Sequence, residues 1–320
     1  MALPTTERSA MTEHISSTPT ITIADGVDLP VVGFGTYLIS DDDVSVAVAT
    51  ALDAGYHHVD TAEGYANEAG VGRAVNSALG SGLARDDLFV TTKLFPGNPA
   101  WGTPAKTYET TIASLDASLE RLGLDHVDLY LIHAPLTPDE RVDQWRALVD
   151  LRAQGKTRAI GVSNFSRRHI EELLAAGLPR PDANQIELHP WSQKQELVDY
   201  LRATGITPIA YSSLVPLSTW RTAEGHDSAK TTEMQADSEA PDSPFATMAA
   251  KHGVTEAQVL LRWGVQRGYA VLPKSTNPVR IRQNADLFSF ALDDEDMAAI
   301  VAMDRGAGVA WAVGDPTTFA

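Results

Sequence analysis

From residue 31 to residue 274 the chain alternates between two rhythms of apolar and polar positions. The first is a short apolar run: VVGFG (31–35), HHVD (57–60), LFVTTK (88–93), VDLYLIH (127–133), RAIGVS (158–163), NQIEL (184–188), TPIAY (207–211) and AVLPK (270–274), eight in all. Most are continuous rather than alternating, as expected of parallel strands covered on both faces. The second is a longer stretch with apolar residues every three or four positions, as in DDVSVAVATALDAG, TYETTIASLDASLERLG, DERVDQWRALVDLRAQG and TEAQVLLRWGVQRG. Each of these closes on a glycine, where a helix C-cap falls.

Ahead of this series lies ITIADGVDLP, two β-prone pieces around Asp25-Gly26, which is a hairpin signal. Eight strand–helix units behind a leading hairpin predict an α/β fold, a (β/α)8 TIM barrel with the hairpin across its bottom. Residues 20–320 then form a single domain, and residues 1–19, polar and aperiodic, a flexible tail in which Met11 is an alternative start. One irregular stretch breaks the rhythm, from Val215 to about Ser243, rich in Ser, Thr, Asp, Glu and Ala. A structureless loop of that length is usually a lid or a mobile insertion, and after the seventh strand it sits at the catalytic mouth.

Composition narrows the function. The 320 residues are 43% hydrophobic and 21% charged, the proportions of a globular chain. Lys plus Arg is 25 and Asp plus Glu is 42, and the resulting net charge of −17 repels nucleic-acid phosphates and anionic membrane surfaces. An anionic ligand has to be held by a local basic cluster against that field. With no cysteine, disulfides, thiolate catalysis and cysteine-ligated zinc are excluded. The first twenty residues lack the apolar segment of a signal peptide, and no run is long enough to cross a bilayer, so the chain reads as cytoplasmic.

In a barrel of this kind the working residues project from the C-terminal ends of the strands. Those ends carry Asp60, Lys93 and His133, with Tyr65 a few residues beyond Asp60. Singly, each has an ordinary explanation: a helix N-cap, a solvated strand terminus, a satisfied core histidine and a half-buried loop aromatic. Jointly they make a general acid. A phenol with a pKa of about 10 is a poor donor at neutral pH, but an adjacent ammonium lowers that value, and Lys93 would do this to Tyr65. Asp60 would supply the counter-charge, while a neutral His133 would orient a carbonyl oxygen. The set suits protonation of that oxygen as hydride reaches carbon.

Asp60-Thr61-Ala62 with Tyr65, Asn67 and Glu68, then Thr92-Lys93-Leu94, then LGLDHVDLYLIH (122–133), resemble the signatures of the aldo-keto reductase superfamily. The likeness is in particular to bacterial members of the 2,5-diketo-gluconate reductase type, and runs from about Ile21 to about Phe319. It implies NADPH-dependent reduction of an aldehyde or ketone to an alcohol by a monomer, with Asp60, Tyr65, Lys93 and His133 as a catalytic tetrad. It also implies cofactor contacts from Thr36, from Ser163 and Asn164 in GVSNF, from Gln185 in NQIELHP, and from Tyr211, Ser212 and Leu214 in AYSSL, with Tyr211 stacked on the nicotinamide.

The segment PKSTNPVRIRQN (273–284) follows the last strand. Asn277 reads as an N-cap with Pro278 in the first turn, so free backbone amides and the positive helix end face an anion site flanked by Lys274 and Arg280. The alternative is an ordinary solvated helix start. The resemblance implies that Lys274, Ser275 and Arg280 grip the adenosine 2′-phosphate of NADPH/NADP+, with Gln283 and Asn284 near the adenine. No acidic residue lies between 273 and 284, which favours NADPH over NADH. Gly33-Phe34-Gly35 and Gly70-Val71-Gly72 look like pieces of a dinucleotide fingerprint. The first lacks the third glycine and the second lies inside a helical pattern, so neither is read as one. The histidines have no metal-ligand spacing, and no metal is expected.

Family members commonly carry a tryptophan directly after the catalytic histidine, where this chain has Ala134. Loss of that indole widens one wall of the substrate pocket and leaves Tyr37, Phe95 and Trp101 as aromatic walls. With no pair of arginines for a dicarboxylate, the expected substrate is a neutral or polyhydroxylated small-molecule carbonyl. Two rival readings remain. One is an NADPH-binding regulatory module with slow turnover, as in the potassium-channel β-subunits of this superfamily; the other is a metal-dependent barrel hydrolase.

Overall fold

The computed structural model describes residues 18–218, 243–306, 308–312 and 314–320. Nearly all of the expected 1–19 tail, and the expected insertion from residue 219 to residue 242, lie outside the described residues.

Strands β1 (Thr20–Ala24) and β2 (Val27–Pro30) pair antiparallel, with Gly26 at φ 66° in the turn between them. Eight further strands follow: β3 (Phe34–Gly35), β4 (His58–Asp60), β5 (Phe89–Leu94), β6 (Val127–Ile132), β7 (Thr157–Ser163), β8 (Ala183–Glu187), β9 (Thr207–Tyr211) and β10 (Ala270–Val271). They form one parallel sheet in sequential order. Its two edges meet: Val32 bridges Val271, Gly33 N–H donates to the Val271 carbonyl at 2.9 Å, and Gly35 N–H donates to the Pro273 carbonyl at 3.0 Å. The sheet is thereby a closed barrel.

Helices lie between the strands, α1 (Asp41–Asp53), α2 (Glu68–Gly80), α3 (Tyr108–Leu122), α4 (Arg141–Ala153), α5 (Arg167–Ala175), α6 (Gln195–Ala203), α7 (Pro244–His252) and α8 (Glu256–Gln266), and two more follow the last strand, α9 (Pro278–Ala285) and α10 (Asp294–Val301). Local chemistry sets their ends. In α3 the hydroxyls of Thr107 and Thr110 cap each other's backbone amides, and Gly123, at φ 63°, closes the helix in the left-handed conformation that glycine adopts without strain.

The two-residue period of the strands divides the apolar residues between two cores. Val90, Leu94, Tyr130, Ile132, Ile160, Val162 and Ile186 face the helices. Phe89, Leu129, Leu131, Ala159, Ala183 and Ile209 fill the barrel interior together with Ile23, Val27 and Leu29 of the hairpin, which therefore plugs its lower end. Arg158 fastens that plug, donating to the Gly26 carbonyl at 2.8 Å and to buried Asp128 at 2.9 Å. Further along the same inward faces, the apolar residues give way to Asp60, Lys93, Ser163 and Gln185.

The glycine pairs that mimic a dinucleotide fingerprint are packing residues. A Cβ at Gly33 would lie 2.3 Å from the His58 ring, and one at Gly72 would lie 2.5 Å from the Leu122 carbonyl oxygen.

Candidate active site

Asp60 ends β4 and Lys93 lies one residue before the end of β5, both pointing into the barrel. Strand pairing sets Asp60 beside Thr91, so the lysine two residues further on reaches back over the carboxylate. The Lys93 side chain has no exposure and that of Asp60 has 4%. Lys93 Nζ donates to Asp60 Oδ1 at 2.5 Å, to the Thr61 carbonyl at 2.8 Å and to the Tyr65 hydroxyl at 3.4 Å. Gln185 Nε2 donates to the second Asp60 oxygen at 2.8 Å, so both carboxylate oxygens are engaged.

Tyr65 stands at the end of a single 3-10 turn, Glu63–Tyr65. Glu63 holds that turn to the loop after β5 by accepting from Phe95 N–H at 3.0 Å and from Lys106 at 2.5 Å. Behind it Asn67 donates to the carbonyls of Thr36 and Ile39, both at 2.9 Å, and buried Glu68 accepts from Thr92 at 2.5 Å. The residues flanking the tyrosine are therefore a scaffold that fixes where its hydroxyl points. That hydroxyl lies 3.5 Å from His133 Nε2, with the two rings edge to face at a centroid distance of 5.4 Å. All four ionisable groups meet at one mouth.

Electrostatics differ from the sequence expectation in one respect. Burial pushes the Tyr65 phenol well above its ordinary pKa, with Asp60, Tyr37 and Tyr211 adding to the rise. The reason is that Lys93 forms a compact pair with Asp60 and presents Tyr65 with little net charge, so desolvation prevails over the ammonium. Burial also lowers Lys93, against the opposing pull of Asp60. His133 is pulled down to about 3 by burial and then by Lys93, so its imidazole is neutral at ordinary pH.

The cofactor candidates fall into two groups. Ser163, Asn164 and Gln185 are buried beside the tetrad. Asn164 is held at φ 63°, and its amide donates to the His133 carbonyl at 3.0 Å while accepting from Tyr211 Oη–H at 2.7 Å. Thr36 donates to the Asp60 carbonyl at 3.1 Å. Ser212 has φ 56°, Leu214 precedes the turn Val215–Leu217, and the buried Ser213 hydroxyl between them has no partner among the described residues. A polar ring with an orphaned buried hydroxyl fits a polar ligand running across the mouth.

The second group surrounds the start of α9. Asn277 is its N-cap, as expected, but its side chain accepts from Val279 N–H at 2.9 Å and Arg280 N–H at 3.2 Å, while its own N–H donates to Ser275 Oγ at 3.1 Å. The expected free amides are thus consumed within the turn. Any phosphate there is left to the side chains of Lys274 and Arg280, both on the exposed rim, with Ser275, Gln283 and buried Asn284 alongside. Of the proposed wall residues, Tyr37 packs against Tyr65 with the two rings tilted by 52° at a centroid distance of 5.0 Å, Phe95 adjoins Gly64, Trp101 is 54% exposed and Ala134 is buried.

Sequence reading missed Trp311 and Glu187. The Trp311 ring lies edge-on to His133 at 6.5 Å, and its indole N–H donates to the Tyr211 hydroxyl at 3.1 Å. Glu187, buried at the end of β8, accepts from the backbone amides of Val309 and Ala310 at 2.7 and 2.8 Å. The one sequence signal was a carboxylate at the end of a strand, two residues after Gln185 on the inward face.

A closed (β/α)8 barrel with a Tyr–Lys–Asp–His cluster at the C-terminal ends of its strands defines a carbonyl-reducing oxidoreductase. The sequence profile described as the Aldo/keto reductase family matches residues 31–305, and the chain belongs to that family. It is 40% identical over 302 residues to an aldo-keto reductase of Mycolicibacterium smegmatis, covering 94% of this chain and 98% of that one. It is 39% identical over 289 residues to a morphine 6-dehydrogenase of Pseudomonas putida, covering 90% and 92%. Among solved structures it is similar to an aldo/keto reductase from Brucella melitensis, with TM-score 0.76 and 39% identity over 90% of this chain and all of the other. It is also similar to a Bombyx mori aldo-keto reductase in complex with NADP, with TM-score 0.78 and 35% identity over 90% and 94%. The protein is an NADP-dependent oxidoreductase.

Proposed function

We propose that this protein reduces a neutral aldehyde or ketone to the alcohol, with Tyr65 as the proton donor and His133 as the group that orients the carbonyl oxygen. The observation that carries this reading is the Tyr65 hydroxyl standing 3.4 Å from Lys93 Nζ and 3.5 Å from His133 Nε2. A bound NADPH supplies the hydride. The rest falls to the protein's own groups.

A neutral imidazole protonated at Nε2 donates to an oxygen placed beside the phenol, and the phenol donates the second hydrogen bond that a carbonyl oxygen accepts. As the oxygen becomes an alkoxide it takes the Tyr65 proton, and the phenolate left behind accepts a hydrogen bond from Lys93 Nζ, 3.4 Å away. Asp60 and the Thr61 carbonyl hold that ammonium in place. The raised phenol keeps its proton throughout the neutral range, so the group is poised for reduction; alcohol oxidation would need the phenolate that burial disfavours. Asn164, Ser163 and Gln185 are the proposed carboxamide contacts, with Tyr211 under the ring, and Lys274 and Arg280 are the proposed grip on the adenosine phosphate.

The substrate walls are aromatic: Tyr37, Phe95, Trp101 and Trp311, with Ala134 leaving room on one side. They suit an uncharged, bulky carbonyl, and the name of the Pseudomonas putida relative places the oxidised form of morphine in the panel to be tried. The decisive experiment follows NADPH oxidation at 340 nm with that panel of aldehydes and ketones in wild type and Tyr65→Phe. Loss of the general acid lowers turnover by about 10²–10⁴-fold while NADP+ affinity stays within twofold. Substantial turnover in the variant would show that another group is the acid.

A further inference from the structure

Glu187 is 1% exposed, and a carboxylate so deeply buried needs donors for both of its oxygens. It has them. Oε1 accepts from Val309 N–H at 2.7 Å and Oε2 from Ala310 N–H at 2.8 Å. A third donor is set by its own neighbour: His189 Nδ1 accepts from Trp191 N–H at 3.3 Å, so the ring proton sits on Nε2 and is given to Glu187 Oε1, 2.8 Å away. Burial opposes ionisation, yet the bonds from His189, Val309 and Ala310 hold the carboxyl below its ordinary pKa, and the group is an anion at neutral pH.

The two amides belong to the residues directly before Trp311. That stretch lies outside every strand and helix, so its course depends on such contacts. Asp315 holds it again, accepting from Gly308 N–H at 3.0 Å and pairing with Lys194, and the Val309 side chain packs with Trp191 and Val215. The fit is close enough that a Cβ at Gly308 would lie 2.5 Å from Glu187 Oε2. The ring delivered by this backbone stands 6.5 Å from His133, over the place where a carbonyl would lie.

We infer that Glu187 is a positioning residue that sets substrate specificity: by pinning the amides before Trp311, it fixes how closely the indole approaches a bulky carbonyl beside His133. This rests on the proposed place of Trp311 in the substrate wall. Among the described residues, the Glu187 side chain bonds to no member of the tetrad and to no proposed cofactor contact. Its influence therefore falls on the binding of large substrates, and leaves turnover of small ones and cofactor affinity alone.

The test is Glu187→Gln, which keeps the shape of the side chain but accepts at one position only. The carboxamide NH2 has to face either Ala310 N–H or the pair of donors on the other side, so one contact is lost in both orientations. The readouts are kcat and KM for propanal and for 2-naphthaldehyde, and the dissociation constant of 2-naphthaldehyde from the enzyme–NADP+ complex, which cannot pass hydride to it, by calorimetry. Binding of 2-naphthaldehyde weakens about fivefold and its KM rises in step, the size of one lost aromatic contact, while kcat with propanal and NADP+ affinity stay within about twofold. In a Trp311→Ala background the same substitution changes 2-naphthaldehyde binding by less than about twofold, because the ring it positions is gone. Gly308→Ala pushes the segment off the carboxylate from the other side and gives the same selective loss; it decides the matter if Glu187→Gln does not fold. No loss, equal losses with both aldehydes, or an undiminished effect in the Trp311→Ala background would overturn the inference. If the wild type reduces neither aldehyde, the proposed reaction fails, and the calorimetric constants still decide the role of Glu187.

Discussion

Removing one member of the Asp60–Lys93 pair gives the most direct test of how the site is held. Both side chains are out of water, and the ammonium has three neighbours: a carboxylate at 2.5 Å, a carbonyl at 2.8 Å and a phenol at 3.4 Å. Breaking a buried pair from one side leaves an uncompensated charge, so Asp60→Ala and Lys93→Met each lose about 3–5 kcal/mol of folding free energy. Removing both leaves no orphaned charge, and the double variant is less destabilised than the sum by about 3 kcal/mol. The assay is equilibrium urea unfolding of wild type, the two single variants and the double. A pH arm adds a signed check. With Asp60 gone, the Lys93 pKa falls further below its unfolded value. The unfolded chain then binds more protons than the native one, and stability rises with pH wherever this holds. The Asp60→Ala deficit should accordingly narrow between pH 7 and pH 10. Single-variant losses that add to within about 0.5 kcal/mol would refute the reasoning, because they would mean that the two groups do not compensate each other.

Acid should weaken the fold through its neutral histidines. His58 and His169 are each lowered to about 4 and His133 to about 3, burial being the first cause in every case, so between pH 6.5 and these values the unfolded chain takes up protons that the native one refuses. Each costs about 2 kcal/mol at pH 5, and the urea midpoint should fall steadily from pH 7 to pH 5. A flat profile would contradict the neutral assignments. At the cofactor end, Lys274→Ala or Arg280→Ala should raise the KM for NADPH about tenfold or more with little change for NADH, since a phosphate without backbone amides depends on those side chains; equal effects on the two cofactors would remove both residues from the phosphate site.

The barrel was legible because each strand is an apolar run too short for a helix, bounded by glycine or proline, and all eight appear in order. Most boundaries moved by one or two residues, and the first and last strands shrank most, to Phe34–Gly35 and Ala270–Val271, because regular pairing at the closing edges is brief. The tetrad was legible for a related reason. Strand ends put side chains at the mouth, and the two-residue period fixes which ones turn inward. What escaped were effects of surroundings that no local pattern records. The direction of the Tyr65 shift depends on Lys93 spending its charge on Asp60. The capping of α9 turns potential ligand donors inward. Glu187 finds its amide partners 122 and 123 positions away in the chain, and Trp311 sits in a stretch of Gly, Ala and Val with no periodicity to mark it.

The closing edge of the barrel has a further consequence. The hydrogen bonds from Gly33 to Val271 and from Gly35 to Pro273 join parts of the chain some 240 positions apart, so this seam can form only after nearly the whole polypeptide has left the ribosome. Thr36 lies one residue past the seam on one side, and Lys274 one residue past it on the other. A dinucleotide gripped from both sides would act as a clasp across that junction. By mass action it would stabilise the closed barrel in proportion to the logarithm of its concentration. The supply of NADP(H) in the cell would then govern the lifetime of the folded enzyme as well as its rate.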